Sequence, residues 1–187
     1  RKLRPAANPI IREPAKPYNA ENYSNGDLAE LFPIGSGILM GPGDVVDIRS
    51  KSESDSNFVL SKSEQAYSPK MAGIISTSPT IIANNKYEPD TPTIPLSLTG
   101  KVPVNVSLIK GPIKPGDPIT SSEIPGLGMR ATKAGPTVAK AVTGFNGNGA
   151  SYFAHKDLEG WQINQATCQE QETCYPVGQV IGLIQNS

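Results

Sequence analysis

The chain has 187 residues with 17 basic and 17 acidic side chains, a formal net charge of zero, and 6% aromatic residues. Such a balance lacks the basic stripe of a nucleic-acid binder, and no apolar run reaches the roughly 20 residues that a membrane-spanning helix needs. Gly and Pro number 18 each, together roughly a fifth of the chain against about 12% in average usage; because they are spread along it, they predict many turns between short strands.

Residues 1–33 read as a Pro-rich extended arm. Pro5, Pro9, Pro14, Pro17 and Pro33 recur there, and each proline fixes φ and removes a backbone donor. Arg1, Lys2, Arg4, Arg12 and Lys16 face only Glu13 in its first part, a pattern of a solvated arm or of contact with an anionic neighbour. With no apolar face of its own, the arm is expected to lie on its own domain or on a neighbouring subunit. Arg1, Lys2, Arg4, Pro5, Arg12, Pro14, Pro17 and Tyr18 are its candidate assembly residues. The stretch Gly26 to Phe32 reads as a helical turn N-capped by Asp27. A first residue of Arg suggests a processed product or a fragment of a longer chain.

Residues 34–187 read as one mainly β domain, a small closed or partly closed β-barrel of short strands. Candidate strands, apolar segments bounded by turn residues, are Ile38 to Met40, Val45 to Ile48, Asn57 to Leu60, Met71 to Ile75, Thr80 to Ile82 and Ile94 to Leu98. Lys101 to Leu108 alternates, placing Val102, Val104, Val106 and Leu108 on one face and Pro103 outward, where proline marks an edge or bulge. Gly100 is expected to form a hairpin or bend between the last two segments. An internal echo links Pro42-Gly43-Asp44 to Pro115-Gly116-Asp117: Pro presets φ and Gly supplies a positive φ, so each predicts a tight turn feeding a strand. Met71 to Ser76 and Val138 to Thr143 follow the two turns, which suggests two similar β-units closing one barrel.

Residues 146–175 read as a loop excursion that opens on the turn Asn146-Gly147-Asn148-Gly149. Cys168 and Cys174 are the only cysteines. A disulfide closing the excursion is expected, hence an oxidising, external location, with two free thiols as the alternative. Tyr152, Phe153, Trp161 and Tyr175 are the candidate ligand-binding residues, because rigid aromatics on a loop make binding hot spots; a satellite core beneath the excursion is the competing reading. Gly178 to Ile184 supplies a last strand.

No catalytic constellation is legible. The single histidine, His155, lies near Asp157 in a polar loop and fits a surface role better than a triad. It also leaves any metal set incomplete, and no nucleotide or cofactor motif occurs. Asp44 and Asp117 read as turn caps rather than a catalytic pair. Asn22-Tyr23-Ser24 and Asn105-Val106-Ser107 match the glycosylation pattern, which carries meaning only in a source that glycosylates.

From Lys70 to Thr143 the chain resembles the peptidase G2-like, tail-fibre-type C-terminal domain of phage appendages and bacterial surface-fibre proteins. The resemblance rests on Met71 to Pro79, Ile94 to Val104, Gly111 to Asp117, Ile119 to Ser122, Pro125 to Ala131 and Gly135 to Ala141. It implies a β-rich, trimer-forming cap on a fibrous protein, and in some phage versions a chaperone that cuts itself free using acidic residues near the cut. Here no carboxylate precedes Glu13, so no catalytic residue carries over. The expected function is a structural subunit or end domain of an extracellular fibre, filament or phage appendage, at the cell surface or on a virion, with itself as partner in a trimer or filament. The alternatives are a module using residues 146–175 to bind a cell-surface glycan or receptor, and an autoproteolytic chaperone domain released at Arg1. No cofactor, metal, nucleic-acid partner or membrane span is expected.

Overall fold

The computed structural model describes residues 26–34, 40–50, 58–83, 92–154, 162–163 and 174–184, with only the backbone course given for 151–154, 162–163 and 174. The assembly-arm residues therefore lie outside the described chain, as do Ile38, Leu39, His155, Asp157, Trp161 and Cys168. So does the expected Cys168–Cys174 pairing.

Every described element is a strand. In chain order they are β1 (Leu28–Pro33), β2 (Val45–Ser50), β3 (Phe58–Lys62), β4 (Met71–Ile75), β5 (Ile81–Ala83), β6 (Thr93–Ser107), β7 (Pro118–Ser121), β8 (Gly128–Arg130), β9 (Ala139–Ala141), β10 (Ser151–Ala154), β11 (Gln162–Ile163) and β12 (Cys174–Ile184). Among the described residues no helix is long and apolar enough to cross a membrane. The helical turn expected at Gly26 to Phe32 is instead β1, paired antiparallel to β6 from Leu28 to Pro33 and parallel to β5. Tertiary pairing overrides the Asp27 cap signal here, and Asp27 is buried at 2% exposure.

Five strands close a barrel. The circuit runs β6, β12, β9, β7, β8 and back to β6, through eight registered pairs of β12 with β6 and the parallel bridge Val106 to Gly128. Its core holds Val102, Val104 and Val106, each fully buried, with Ile119, Ala141 and Val180. The alternation expected of Lys101 to Leu108 thus points into this barrel. Pro103 faces the other way but is buried, not exposed. It is registered with Ile181, whose N–H goes to the Thr143 hydroxyl at 2.8 Å and whose carbonyl accepts from Val142 at 2.7 Å. Ile181 therefore turns its backbone groups toward β9, and the missing proline N–H breaks no bond to β12.

A second sheet, in the order β5, β1, β6, β4, β2, β3, curls until Ile34 bridges Leu60 across its far side. Val46, Leu60, Ile75 and Leu96 fill its interior. Two consecutive apolar pairs serve both cores: Val45 and Ile74 pack into the barrel, Val46 and Ile75 into the second sheet. Successive side chains on a strand point to opposite faces, so β2 and β4 form a wall buried on both sides.

β6 is one 15-residue strand shared by both cores, not two strands. The register of β1 against it jumps from Thr99 to Ser97, a bulge at Leu98. A bulge bends the strand and shifts its faces, and Gly100 completes the bend with φ +107. A Cβ at Gly100 would lie 2.3 Å from the Gly26 carbonyl oxygen, so only glycine fits. The described part of residues 146–175 is also more than a loop: β10 pairs with β12 and β11 with β10, so strands widen the sheet there.

Candidate functional site

The two Pro-Gly-Asp turns adopt one geometry. Asp44 N donates to the Gly41 carbonyl at 3.1 Å and Asp117 N to the Lys114 carbonyl at 3.0 Å. Each carboxylate then turns back to accept the opening amide of its own turn, Gly41 N at 3.0 Å and Lys114 N at 2.8 Å. Gly43 and Gly116 supply φ values of +83 and +91. Their surroundings differ. Asp44 is buried at 3% exposure, accepts from Asn105 Nδ2 at 3.0 Å and pairs with Lys62 Nζ at 3.2 Å. Asn105 donates as well to the Pro42 carbonyl and accepts from Gln179 Nε2. This network joins β2, β3, β6 and β12 where the two cores meet. A glycan on Asn105 would have to break it. Both aspartates are engaged in their turns and neither presents a free carboxylate to a substrate.

A second polar joint lies nearby. Ser68 Oγ donates to Asp47 Oδ2 at 2.9 Å, Ser68 N donates to Ser121 Oγ at 2.8 Å, and Ser121 Oγ donates to the Gln65 carbonyl at 2.8 Å. Tyr67, next in line, has φ +55, a left-handed conformation uncommon for a bulky residue. Its hydroxyl oxygen accepts from Thr132 N at 2.7 Å and Lys133 N at 3.2 Å, with Lys133 Nζ 4.9 Å from the ring centroid. Burial pushes the Tyr67 pKa upward, but the hydrogen bonds from Thr132 and Lys133 and the Lys133 charge outweigh it and hold the phenol below its usual 10.0. These contacts pin the loop after β8 onto the turn after β3. They bind two parts of the chain together and form no open reaction site.

The open features gather at one corner. A groove of about 380 Å³ lies where the two cores abut, walled by Met71–Gly73 of β4, Ser97 and Leu98 of β6, Val138 and the end of β12 at Ile184. The buried Ser97 hydroxyl has no hydrogen-bond partner among the described residues. The Thr99 hydroxyl reaches the Ile184 carbonyl at 3.3 Å, and Gly100, the next residue, packs on Gly26 and Asp27. Asp27 accepts through its carbonyl from Thr80 N at 3.0 Å, which leads into β5. Among the described residues neither Asp27 carboxylate oxygen has a hydrogen-bond partner. On β5, Ile81 and Ile82 are 61% and 48% exposed, and among the described residues β5 pairs only with β1. The groove, the exit of residues 1–25 and a bare apolar edge therefore lie side by side.

Of the aromatics expected to bind ligand, Trp161 lies outside the described residues and the backbones of Tyr152 and Phe153 run in β10. Phe153 is registered opposite Tyr175. Tyr175 is half-buried against Ile124, Leu127 and Val177, the satellite-core arrangement. The sequence reading did not single out the groove or the β5 edge. Thr80 to Ile82 was legible as a strand, but exposure on both of its faces is a property of the assembled sheet.

No protein-family model and no curated protein matches the chain.

Proposed function

We propose that this protein is a structural subunit or end domain of an extracellular fibre, filament or phage appendage, which assembles with copies of itself through the corner formed by β5 and the groove. The observation that carries this reading is the pair of exposed isoleucines on β5. Proteins blunt edge strands with charge, proline, bulges or cover, because a bare edge templates pairing with another chain. Here β5 offers Ile81 and Ile82 on successive positions, hence on both faces, and among the described residues no strand covers its outer side. A second copy laid along that edge would bury both side chains, worth roughly 1.5–3 kcal/mol for each one fully covered. The sequence resemblance of Lys70 to Thr143 to fibre-end domains supports the same role. The external location follows from the expected disulfide.

Size-exclusion chromatography with light scattering tests the reading. The full chain is expected to elute as an oligomer, and Ile81→Lys with Ile82→Lys is expected to release folded monomer. A wild-type chain that stays monomeric at every concentration would sink the proposal.

A further inference from the structure

We infer that Lys62 and Asn105 become joined by an amide bond that the folded chain makes for itself, with Asp44 carrying the protons. The bond needs one chain only, so it stands or falls independently of self-assembly. The ion pair and hydrogen bonds described above are the unlinked chain, in which both reacting groups already rest on one carboxylate.

Three elements bring the groups together. Lys62 ends β3, Asn105 lies in β6, and Asp44 immediately precedes β2. The Asp44 carboxylate is held by Gly41 N and takes one group on each oxygen, Lys62 Nζ at 3.2 Å from Oδ2 and Asn105 Nδ2 at 3.0 Å from Oδ1. Asn105 is tied down as well, its backbone N–H donating to the Gly43 carbonyl at 2.8 Å. Its carboxamide has one orientation, because the nitrogen faces two acceptors, Asp44 and the Pro42 carbonyl. The carboxamide oxygen accepts from Gln179 Nε2 at 3.1 Å. Two glycines keep side chains out of the site. A Cβ on Gly43 would lie 2.9 to 3.0 Å from Oδ1, Cγ and Nδ2 of Asn105, over the plane of the amide. One on Gly126 would lie 3.1 Å from both Asp44 Cγ and Lys62 Cδ. Water is largely kept away too, since Asp44 is buried and the Lys62 side chain is 20% exposed.

Aminolysis of a carboxamide needs a neutral amine, a group that moves protons between the amine and the leaving nitrogen, and a donor for the oxygen that gains charge. Asp44 touches both nitrogens, and Gln179 faces the oxygen. In the first step one proton passes from the Lys62 ammonium to the Asp44 carboxylate. The flexible lysine stem then carries Nζ from Oδ2 toward Cγ, which attack requires it to approach to about 3–3.5 Å. Its lone pair forms the Nζ–Cγ bond, and the charge on Oδ1 is met by Gln179. Asp44 gives its proton to Nδ2, the Cγ–Nδ2 bond breaks with its electron pair on nitrogen, and ammonia leaves. Asp44 takes the surplus proton from Nζ and releases it to the ammonia as ammonium, so the carboxylate is restored and nothing is oxidised or reduced. The product ties β3 of the second sheet to the strand that both cores share. Like a disulfide, such a link also constrains the unfolded chain, so its loss adds to the cost that removing Asp44 has in the unlinked chain.

The test is mass spectrometry of the full chain, denatured after the folded protein has been incubated at neutral pH. The wild type is expected to be lighter than its sequence by one ammonia. Its tryptic digest is expected to contain residues 52–70, uncut at Lys62, joined to residues 102–110 as one branched peptide. Lys62→Arg keeps the charge beside Asp44 but has no primary amine, and is expected to show the wild-type β-sheet circular-dichroism spectrum at full mass. Asp44→Asn keeps the shape of the side chain and loses the proton carrier, and is expected to stay at full mass too. A wild-type chain that keeps its full mass would overturn the proposal. So would loss of ammonia without the branched peptide, as ring closure at Asn146-Gly147 would give, and loss of water, which would put the bond on Asp44 instead. The branched peptide appearing in Asp44→Asn would overturn the role given to Asp44.

Discussion

Replacing Asp44 and Asp117 by alanine, separately, asks whether one turn motif has two energetic roles. Both substitutions remove the carboxylate that accepts the opening amide of the same Pro-Gly-Asp turn. For Asp117 that is the main loss, and the site is open to water, so the cost is about 1 kcal/mol. Asp44→Ala also strips Lys62 of its 3.2 Å partner and Asn105 of one of its two acceptors. Removing one member of a buried charge pair costs about 3–5 kcal/mol. Two features pull the value toward the lower bound: the Lys62 side chain is 20% exposed and can turn to water, and Asn105 keeps the Pro42 carbonyl. We therefore expect about 3 kcal/mol for Asp44→Ala. At about 2–4 °C per kcal/mol for a chain of this size, the midpoint should fall by about 6–12 °C, against about 2–4 °C for Asp117→Ala. Thermal and urea unfolding at one fixed protein concentration measure the difference, since assembly makes stability concentration-dependent. Equal losses in the two variants would refute the assignment of Asp44 as the joint between the cores.

Three further outcomes follow from the same structure. Gly100→Ala should cost more than about 3 kcal/mol or prevent folding, because its Cβ would meet the Gly26 carbonyl and the Asp27 backbone; Gly116→Ala, with open space around it, should lose only about 1–2 kcal/mol of left-handed strain, and both are read from the melting midpoint. Ile74→Ala, fully buried between β2 and the barrel core, should cost about 2–5 kcal/mol, whereas Ile81→Ala should leave the stability of dilute monomer within about 0.5 kcal/mol. The third concerns pH. The folded-state pKa of Tyr67 lies below its ordinary 10.0, so between those two values the unfolded chain binds more protons and stability rises with pH. The wild type should gain on Tyr67→Phe across that window, fully above pH 10 and not at all at neutral pH, as read by urea midpoints taken at a series of pH values.

Much of the fold was legible because its signals are local. Pro-Gly-Asp sets its own dihedrals wherever it occurs, and both copies make the expected turn. Val102, Val104 and Val106 alternate with strand period and enter the barrel as that period requires. Asp27 misled, since a residue type that caps helices also suits the entry to a strand, and only the pairing of Leu28–Pro33 with β6 decides between them. Residues 146–175 misled in another way: strands as short as Gln162–Ile163 carry too few side chains to show a period.

The sequence by itself settled that this is a chain of short strands punctuated by Gly and Pro, with two equivalent turns and a proline-rich approach to the fold. Tertiary structure alone decided that one of those turns is buried beside Lys62 while its twin faces water, because neither environment is written within the motif. It alone made Thr93–Ser107 a single strand shared by two cores, since the contact forcing Gly100 to be glycine comes from Gly26, more than seventy residues away. It also separated two chemically identical isoleucine neighbourhoods, sealing Ile74 in the barrel and leaving Ile81 bare. Burial is a property of what the rest of the chain places around a residue, and no local pattern encodes it.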